Sequence, residues 1–187
     1  MKKREMREMI RMVVTLFVIS LVCSAILGVV NAVTEDRIAD IEAETRAAAM
    51  RDVLPDADSF ADVSGELDED FKTENAVTGI YAATAADGSD AGYAVMVAPR
   101  GFGGEIVMIV GVNTEGVVTG VVITEMSETA GLGAKADDPS FLSQYVGKSG
   151  SLTVGENQIS AITGATVTSR AVTDGVLAAI KAAAAVS

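Results

Sequence analysis

The sequence predicts an α+β chain, in which one N-terminal transmembrane helix precedes a small mixed or antiparallel sheet packed with helices. Three observations predict it. Residues 12–34 form a run of 23 without a charged side chain. Between residues 77 and 124 lie four short runs rich in Val, Ile and Ala, separated by turn residues. Residues 167–186 then place apolar side chains at helical spacing.

The first eleven residues are basic, with Lys2, Lys3, Arg4, Arg7 and Arg11 against Glu5 and Glu8. The run that follows (Val13, Val14, Leu16, Val18, Ile19, Leu21, Val22, Ile26 and Leu27 among its members) is long enough to cross a ~30 Å hydrocarbon core at ~1.5 Å per residue. Thr15, Ser20 and Ser24 are compatible with it, because their hydroxyls bond back to carbonyls one turn earlier. After the run the charge turns acidic, with Glu35, Asp36, Asp40, Glu42 and Glu44 beside only Arg37 and Arg46. The positive end stays in the cytoplasm, which predicts a single-pass protein of the cell membrane with its C-terminal domain outside. A cleaved signal peptide ending near Val30-Asn31-Ala32 is the competing reading, but its apolar core would be only ~7–15 residues. Ser20-Leu21-Val22 lacks the small residue expected before a lipidated cysteine at Cys23.

The helical pattern continues to about Val53, where Pro55 stops it, so a stalk extends the membrane helix. Residues 35–75 read as this stalk plus an irregular connector, with 56–72 acidic and interrupted by Gly65. The soluble domain then occupies 76–187. Strands are expected at 77–83 and 92–98, around the turn Ala86-Asp87-Gly88-Ser89. A hairpin is expected at 105–112 and 116–124, around Asn113-Thr114-Glu115-Gly116. Its near-continuous apolarity implies cover on both faces. Residues 125–138 form a glycine-rich loop, and Pro139 opens a short helix carrying Phe141, Leu142 and Tyr145. One or two strands are expected at 152–162. The final helix presents Ala171, Val172, Gly175, Val176, Ala179 and Ile180 on one face.

Composition narrows the chemistry. The net charge is −12, and since the first eleven residues are basic, the acidity lies entirely beyond them. Such a domain is unsuited to nucleic acid or anionic lipid heads. There is no His, which excludes His-based catalysis, His metal ligation and bis-His haem. The single Cys23 lies in the apolar run, so no disulfide, thiolate cluster or haem attachment is available. No catalytic side-chain set and no metal site is read. Electron chemistry here needs an organic cofactor.

Two stretches and a turn carry the chemical signal. Ile162-Thr163-Gly164-Ala165-Thr166-Val167-Thr168-Ser169 leads from a β-like segment into the final helix. The first amides of a helix lack intrahelical partners and carry partial positive charge, so they favour an anion. Gly164 and Ala165 let a phosphate come close, and Thr163, Thr166, Thr168 and Ser169 add donors. The alternative is an ordinary N-cap supplied by the same hydroxyls. The second stretch is Ser127-Glu128-Thr129-Ala130-Gly131-Leu132-Gly133-Ala134-Lys135, whose glycines permit tight turns and whose Leu132 suits a flat apolar ligand face; a plain glycine loop is its alternative. The turn is Arg100-Gly101-Phe102-Gly103-Gly104-Glu105, with Phe102, like Tyr93, expected in the core.

Together these motifs resemble the FMN-binding subunits of membrane redox pumps, a family that includes the G subunit of Rnf complexes and the C subunit of the sodium-pumping NADH:quinone reductase. Gly101-Phe102-Gly103-Gly104 followed by Ile106-Val107-Met108-Ile109-Val110-Gly111-Val112 is similar to the family's central hairpin. Glu128-Thr129-Ala130-Gly131-Leu132-Gly133 resembles its Glu-Thr-Pro-Gly-Leu-Gly loop, with Ala130 in place of the proline. Thr163-Gly164-Ala165-Thr166 resembles its Ser/Thr-Gly-Ala-Thr flavinylation motif, although Ser160 stands where the family usually has an acidic residue. The likeness is loose over 1–30 and close over 90–185, and the chain length favours the Rnf-type branch.

The resemblance implies FMN joined through a phosphoester to Thr166, installed by a separate flavin transferase using FAD and Mg²⁺. It also implies that Glu128, Thr129, Gly131 and Leu132 line the isoalloxazine ring, with Thr163, Gly164 and Ala165 around the phosphate. In that role the chain relays electrons among other membrane subunits of a ferredoxin:NAD⁺ oxidoreductase that moves Na⁺ or H⁺, rather than acting as a complete enzyme. Two other readings stay open here: a free-standing anchored flavoprotein feeding an external acceptor, and a non-redox anchored binding module.

Overall fold

A computed structural model of the chain describes residues 2–155 and 158–187. It divides into two units, Met1–Glu44 and Thr45–Ser187. Helix α1 (Lys2–Val53) is a single helix of 52 residues, as the unbroken pattern up to Pro55 predicts. Within the first unit, every described side chain from residue 6 to residue 31 is exposed, with Leu16, Phe17 and Leu27 among the large apolar ones. The helix contains an 18-residue window of mean hydropathy 2.8, long and apolar enough to cross a membrane.

The second unit is built on five antiparallel strands in the order β1-β2-β3-β4-β5. They are β1 (Ala57–Asp62), β2 (Val77–Ala85), β3 (Asp90–Val97), β4 (Ile106–Val112) and β5 (Val118–Met126). Each strand pairs with the next, so local turns set the register. At the β2–β3 turn Gly88 takes φ 83°, and its N–H donates to the Ala85 carbonyl. At the β4–β5 turn Asn113 Oδ1 accepts from the N–H groups of Glu115 and Val117, and Gly116 takes φ 76°. Both are left-handed positions that favour glycine.

Helix α4 (Thr166–Val186) packs on one face of the sheet, burying Val172, Val176, Ala179 and Ala182 against a core that includes Val95, Met108 and Val110. Gly175 permits this approach: a Cβ there would strike Met108 Cε and stand 2.9 Å from Pro99 Cγ. The last turns of α1 and the residue after it cover the other face, where Ala49, Met50, Val53 and Leu54 meet Ala83, Ala94 and Ile109. The sheet is therefore covered on both faces, as the apolarity of β4 requires.

The expectations for two segments are corrected. Residues 56–72, expected to be irregular, contain β1, a 3₁₀ turn at Ser64–Glu66 and the start of α2 (Glu69–Glu74). β1 is an edge strand with the sequence ADSFAD, whose outward acids suit an unpaired edge and disguise the strand. Conversely, the strands expected at 152–162 do not form among the described residues. Only a single bridge joins Val154 and Ile159; Gly155, at φ 146°, breaks the run, and residues 156 and 157 lie outside the described residues. In the loop after β5 a 3₁₀ helix runs Gly133–Asp137, followed by α3 (Pro139–Leu142), which Pro139 opens as expected.

Candidate functional site

The loop before α4 is a turn in which Ala165 N–H donates to the Ile162 carbonyl at 2.9 Å, with Gly164 at φ 81° in the third position. The first helical bond of α4 is that of Ser169 N–H to the Ala165 carbonyl, at 3.0 Å. The amides of Thr166, Val167 and Thr168 precede it and so have no intrahelical acceptor. The N-cap residue is Ala165, which supplies no side-chain cap. The ordinary N-cap reading of this stretch is thereby overturned: the orphan donors are not closed off by a hydroxyl.

Two of the hydroxyls expected to face a phosphate are engaged elsewhere. Ser169 is fully buried; its Oγ donates to the Ala165 carbonyl and accepts from Ile162 N–H, both at 3.0 Å. Thr168 is also buried, and its hydroxyl donates to Glu128 Oε2 at 3.1 Å. Thr173 Oγ1 donates to the Ser169 carbonyl at 2.9 Å, so its one proton is used and Tyr145 must donate in the 2.8 Å bond between the two hydroxyls. Burial pushes the Tyr145 phenol up to about 12, which keeps it protonated as a donor. This chain of bonds fixes the first two turns of α4 to the segment after α3. Thr166 is left exposed as the first residue of the helix.

In front of this helix head lies a cavity of about 490 Å³, within the size range of small-molecule sites. Gly164, Ala165, Thr166, Val167 and Thr168 form one wall, and Glu128, Thr129, Leu132 and Gly133 another. Phe102 contributes from the hairpin tip between β3 and β4. Its expected core position is corrected: Phe102 is 73% exposed, at the apex of a turn that the Gly101 N–H bond to the Gly104 carbonyl closes. Tyr93 is partly buried, and its hydroxyl donates to the Val186 carbonyl. Leu132 and Val167 are also about half exposed, so three large apolar side chains ring the cavity. Exposed apolar surface of this kind around a concavity marks a binding face.

Six of the eight site residues named from the sequence thus come together: Glu128, Thr129, Leu132, Gly164, Ala165 and Thr166. Gly131 and Thr163 stand outside the lining. Gly131 turns its loop at φ 78°, and Thr163 occupies the exposed second position of the turn before α4. Thr168, expected only as a phosphate donor, also lines the wall, and Phe102, Gly133 and Val167 join it without having been named as site residues; the glycines flanking Phe102 and its place in a hairpin tip were the available signal. Ser160 is exposed, and its backbone is clasped by Gln144, whose Oε1 accepts from Ser160 N–H at 2.8 Å and whose Nε2 donates to the Ser160 carbonyl at 3.4 Å.

A helix head with three amides free of intrahelical acceptors, beside an apolar rim and carried on an antiparallel sheet, suits a ligand that is flat and apolar at one end and anionic at the other. Residues 101–181 match the family described as the FMN-binding domain, the class that fold and site together define. Residues 1–53 match the RnfG N-terminal region. The chain is 36% identical over 177 residues to the G subunit of the Na⁺-translocating ferredoxin:NAD⁺ oxidoreductase complex of Acetobacterium woodii, covering 86% of this chain and 84% of the relative. It is 34% identical over 179 residues to the G subunit of the ion-translocating oxidoreductase complex of Methanosarcina acetivorans, covering 93% and 94%. A crystal structure of Shewanella oneidensis NqrC is similar over 53% of each chain, at 26% identity and a TM-score of 0.47. The chain belongs to the RnfG family, the G subunits of ion-translocating oxidoreductase complexes.

Proposed function

We propose that this chain is the electron-relay subunit of a membrane ferredoxin:NAD⁺ oxidoreductase complex and carries FMN esterified through its phosphate to Thr166. The observation that carries the reading is the head of α4: an exposed Thr166 hydroxyl, three adjacent amides before the first helical bond, and no side-chain cap. A phosphate there meets the positive end of the helix dipole, worth ~0.3–1 kcal/mol when exposed and more when partly buried. Gly164 and Ala165 keep the backbone accessible to it, while Leu132, Phe102 and Val167 offer apolar contact to the ring, with Glu128 and Thr129 on the same wall. The attached flavin supplies the electron-accepting and electron-donating chemistry, and the chain supplies position and surroundings.

Attachment needs a partner, a flavin transferase using FAD and Mg²⁺. The bond from Thr166 Oγ to phosphorus forms, the pyrophosphate bond of FAD breaks, AMP leaves, and the hydroxyl proton passes to solvent. The remaining partners are the other membrane subunits of the complex. The basic residues Arg7 and Arg11 before the apolar run favour a cytoplasmic N-terminus and a domain on the opposite side. The test is direct: the chain, matured beside its transferase and denatured in SDS, should fluoresce in the gel, and Thr166→Val should abolish that fluorescence. A dark wild-type band rules out covalent flavin.

A further inference from the structure

Glu128 has both carboxylate oxygens engaged within the chain. Oε1 accepts from the N–H groups of Phe102 at 2.7 Å and Gly103 at 3.2 Å, and Oε2 accepts from the Thr168 hydroxyl at 3.1 Å. The partners are far apart in sequence, on the β3–β4 hairpin tip and on the first turn of α4. Two glycines make room for the carboxylate and a third for the backbone beside it. A Cβ on Gly101 would collide with Oε1, and one on Gly133 would stand 2.6 Å from Oε2 and 3.1 Å from Thr168 Oγ1. One on Gly103 would strike the carbonyl of Ser127, the residue next to Glu128. Bonds to an ionised acceptor are the strong ones, and Thr168 is buried, so its hydroxyl has no easy replacement from water.

We infer that Glu128 is a positioning residue for flavin attachment, which, by bonding the Phe102–Gly103 tip and Thr168 together, holds the head of α4 and its Thr166 hydroxyl against the apolar rim of the cavity. It acts through Thr168, two residues along the helix from Thr166, and not at the phosphate or the ring. The inference rests on the flavin reading above and deepens it.

The experiment uses the full chain in detergent with purified flavin transferase, FAD and Mg²⁺, and follows the initial rate of FMN incorporation by in-gel fluorescence. Thr168→Val should slow incorporation about tenfold, the loss of one charge-assisted bond, and Glu128→Ala, which removes that bond together with the two to the hairpin tip, at least as much. The double variant should be no slower than the worse single one, because both cut the same link. Glu128→Gln and Thr168→Ser, which keep hydrogen-bonding atoms in place, should restore the rate to within about threefold. The absorption spectrum of flavin attached to Glu128→Gln should match the wild type; a shift would mean that the carboxylate touches the ring and would overturn the positioning role. Losses that multiply to about a hundredfold in the double variant, or single variants that lower only the melting temperature and leave the rate unchanged, overturn it as well. Absence of incorporation in the wild type overturns the flavin reading itself, an outcome distinct from these. Should Glu128→Ala not fold, the Thr168→Val and Thr168→Ser pair still decides.

Discussion

Gly164 lies against Leu132: a Cβ built on Gly164 would stand 3.2 Å from Leu132 Cδ2. This contact joins the glycine loop after β5 to the turn that opens α4, and both residues line the same cavity. Gly164 also holds φ at 81°, where an L side chain costs ~1–2 kcal/mol. Gly164→Ala should therefore lower stability by about that amount in thermal unfolding and push Leu132 outward. Slower incorporation of FMN by the transferase should accompany it.

A glycine pair shapes the opposite face of the sheet. Gly111 and Gly120 are register partners in β4 and β5, and Val53 descends onto them, its carbonyl accepting from Thr119 Oγ1 at 2.5 Å. A Cβ on Gly120 would lie 2.9 Å from Val53 Cα, a backbone atom that cannot rotate away. Gly120→Ala should cost about 1–3 kcal/mol in denaturant unfolding. Gly65→Ala, with nothing within 4 Å, should stay within about 0.5 kcal/mol.

Much of this was legible beforehand because local signals agreed with the tertiary fold. Asn113 to Gly116 marked a hairpin turn, Pro55 ended α1, and the apolar spacing from Ala171 to Ile180 marked α4. Thr-Gly-Ala-Thr located the head of α4. What was not legible depended on long-range partners. β1 exists because Phe60 packs beneath the end of α1 while its acids face outward, a pattern too weak to stand out alone. The 152–162 segment has strand-like residues, but Gly155 turns the chain before a ladder can form. Thr168 and Ser169 looked like ligand donors, yet burial directs them to Glu128 and to the backbone. Glu128 lines the cavity as the sequence predicts, but its bonds to the hairpin tip and to Thr168 join segments far apart in the chain and were not legible.

Tyr145 provides a pH test. Its folded-state value of about 12 lies above the ordinary phenol value of 10, mainly because of burial. The unfolded chain therefore ionises first. Stability from this group is complete below pH 10 and is lost as pH rises through about 12. Tyr145→Phe should lose about 0.5–1.5 kcal/mol at neutral pH for the missing bond to Thr173. Comparing denaturant midpoints across that pH range should show a shallower decline in the variant than in the wild type.

The unit boundary is testable by truncation. Residues 45–187 retain Ala49, Met50, Val53 and Leu54, which cover one face of the sheet. A chain beginning at residue 45 should be soluble, cooperative in unfolding and able to accept flavin. One beginning at residue 57 uncovers Ala83, Ala94 and Ile109 and should aggregate on expression.

The mass of the intact protein, followed by mapping of the peptide that spans residues 162–170, bears on the central claim most directly. In cells that also express the transferase, the chain should be heavier by one FMN less one water, with the addition on Thr166 and none in Thr166→Val. An unmodified Thr166 in that sample, or an FMN found on another side chain, would contradict the account.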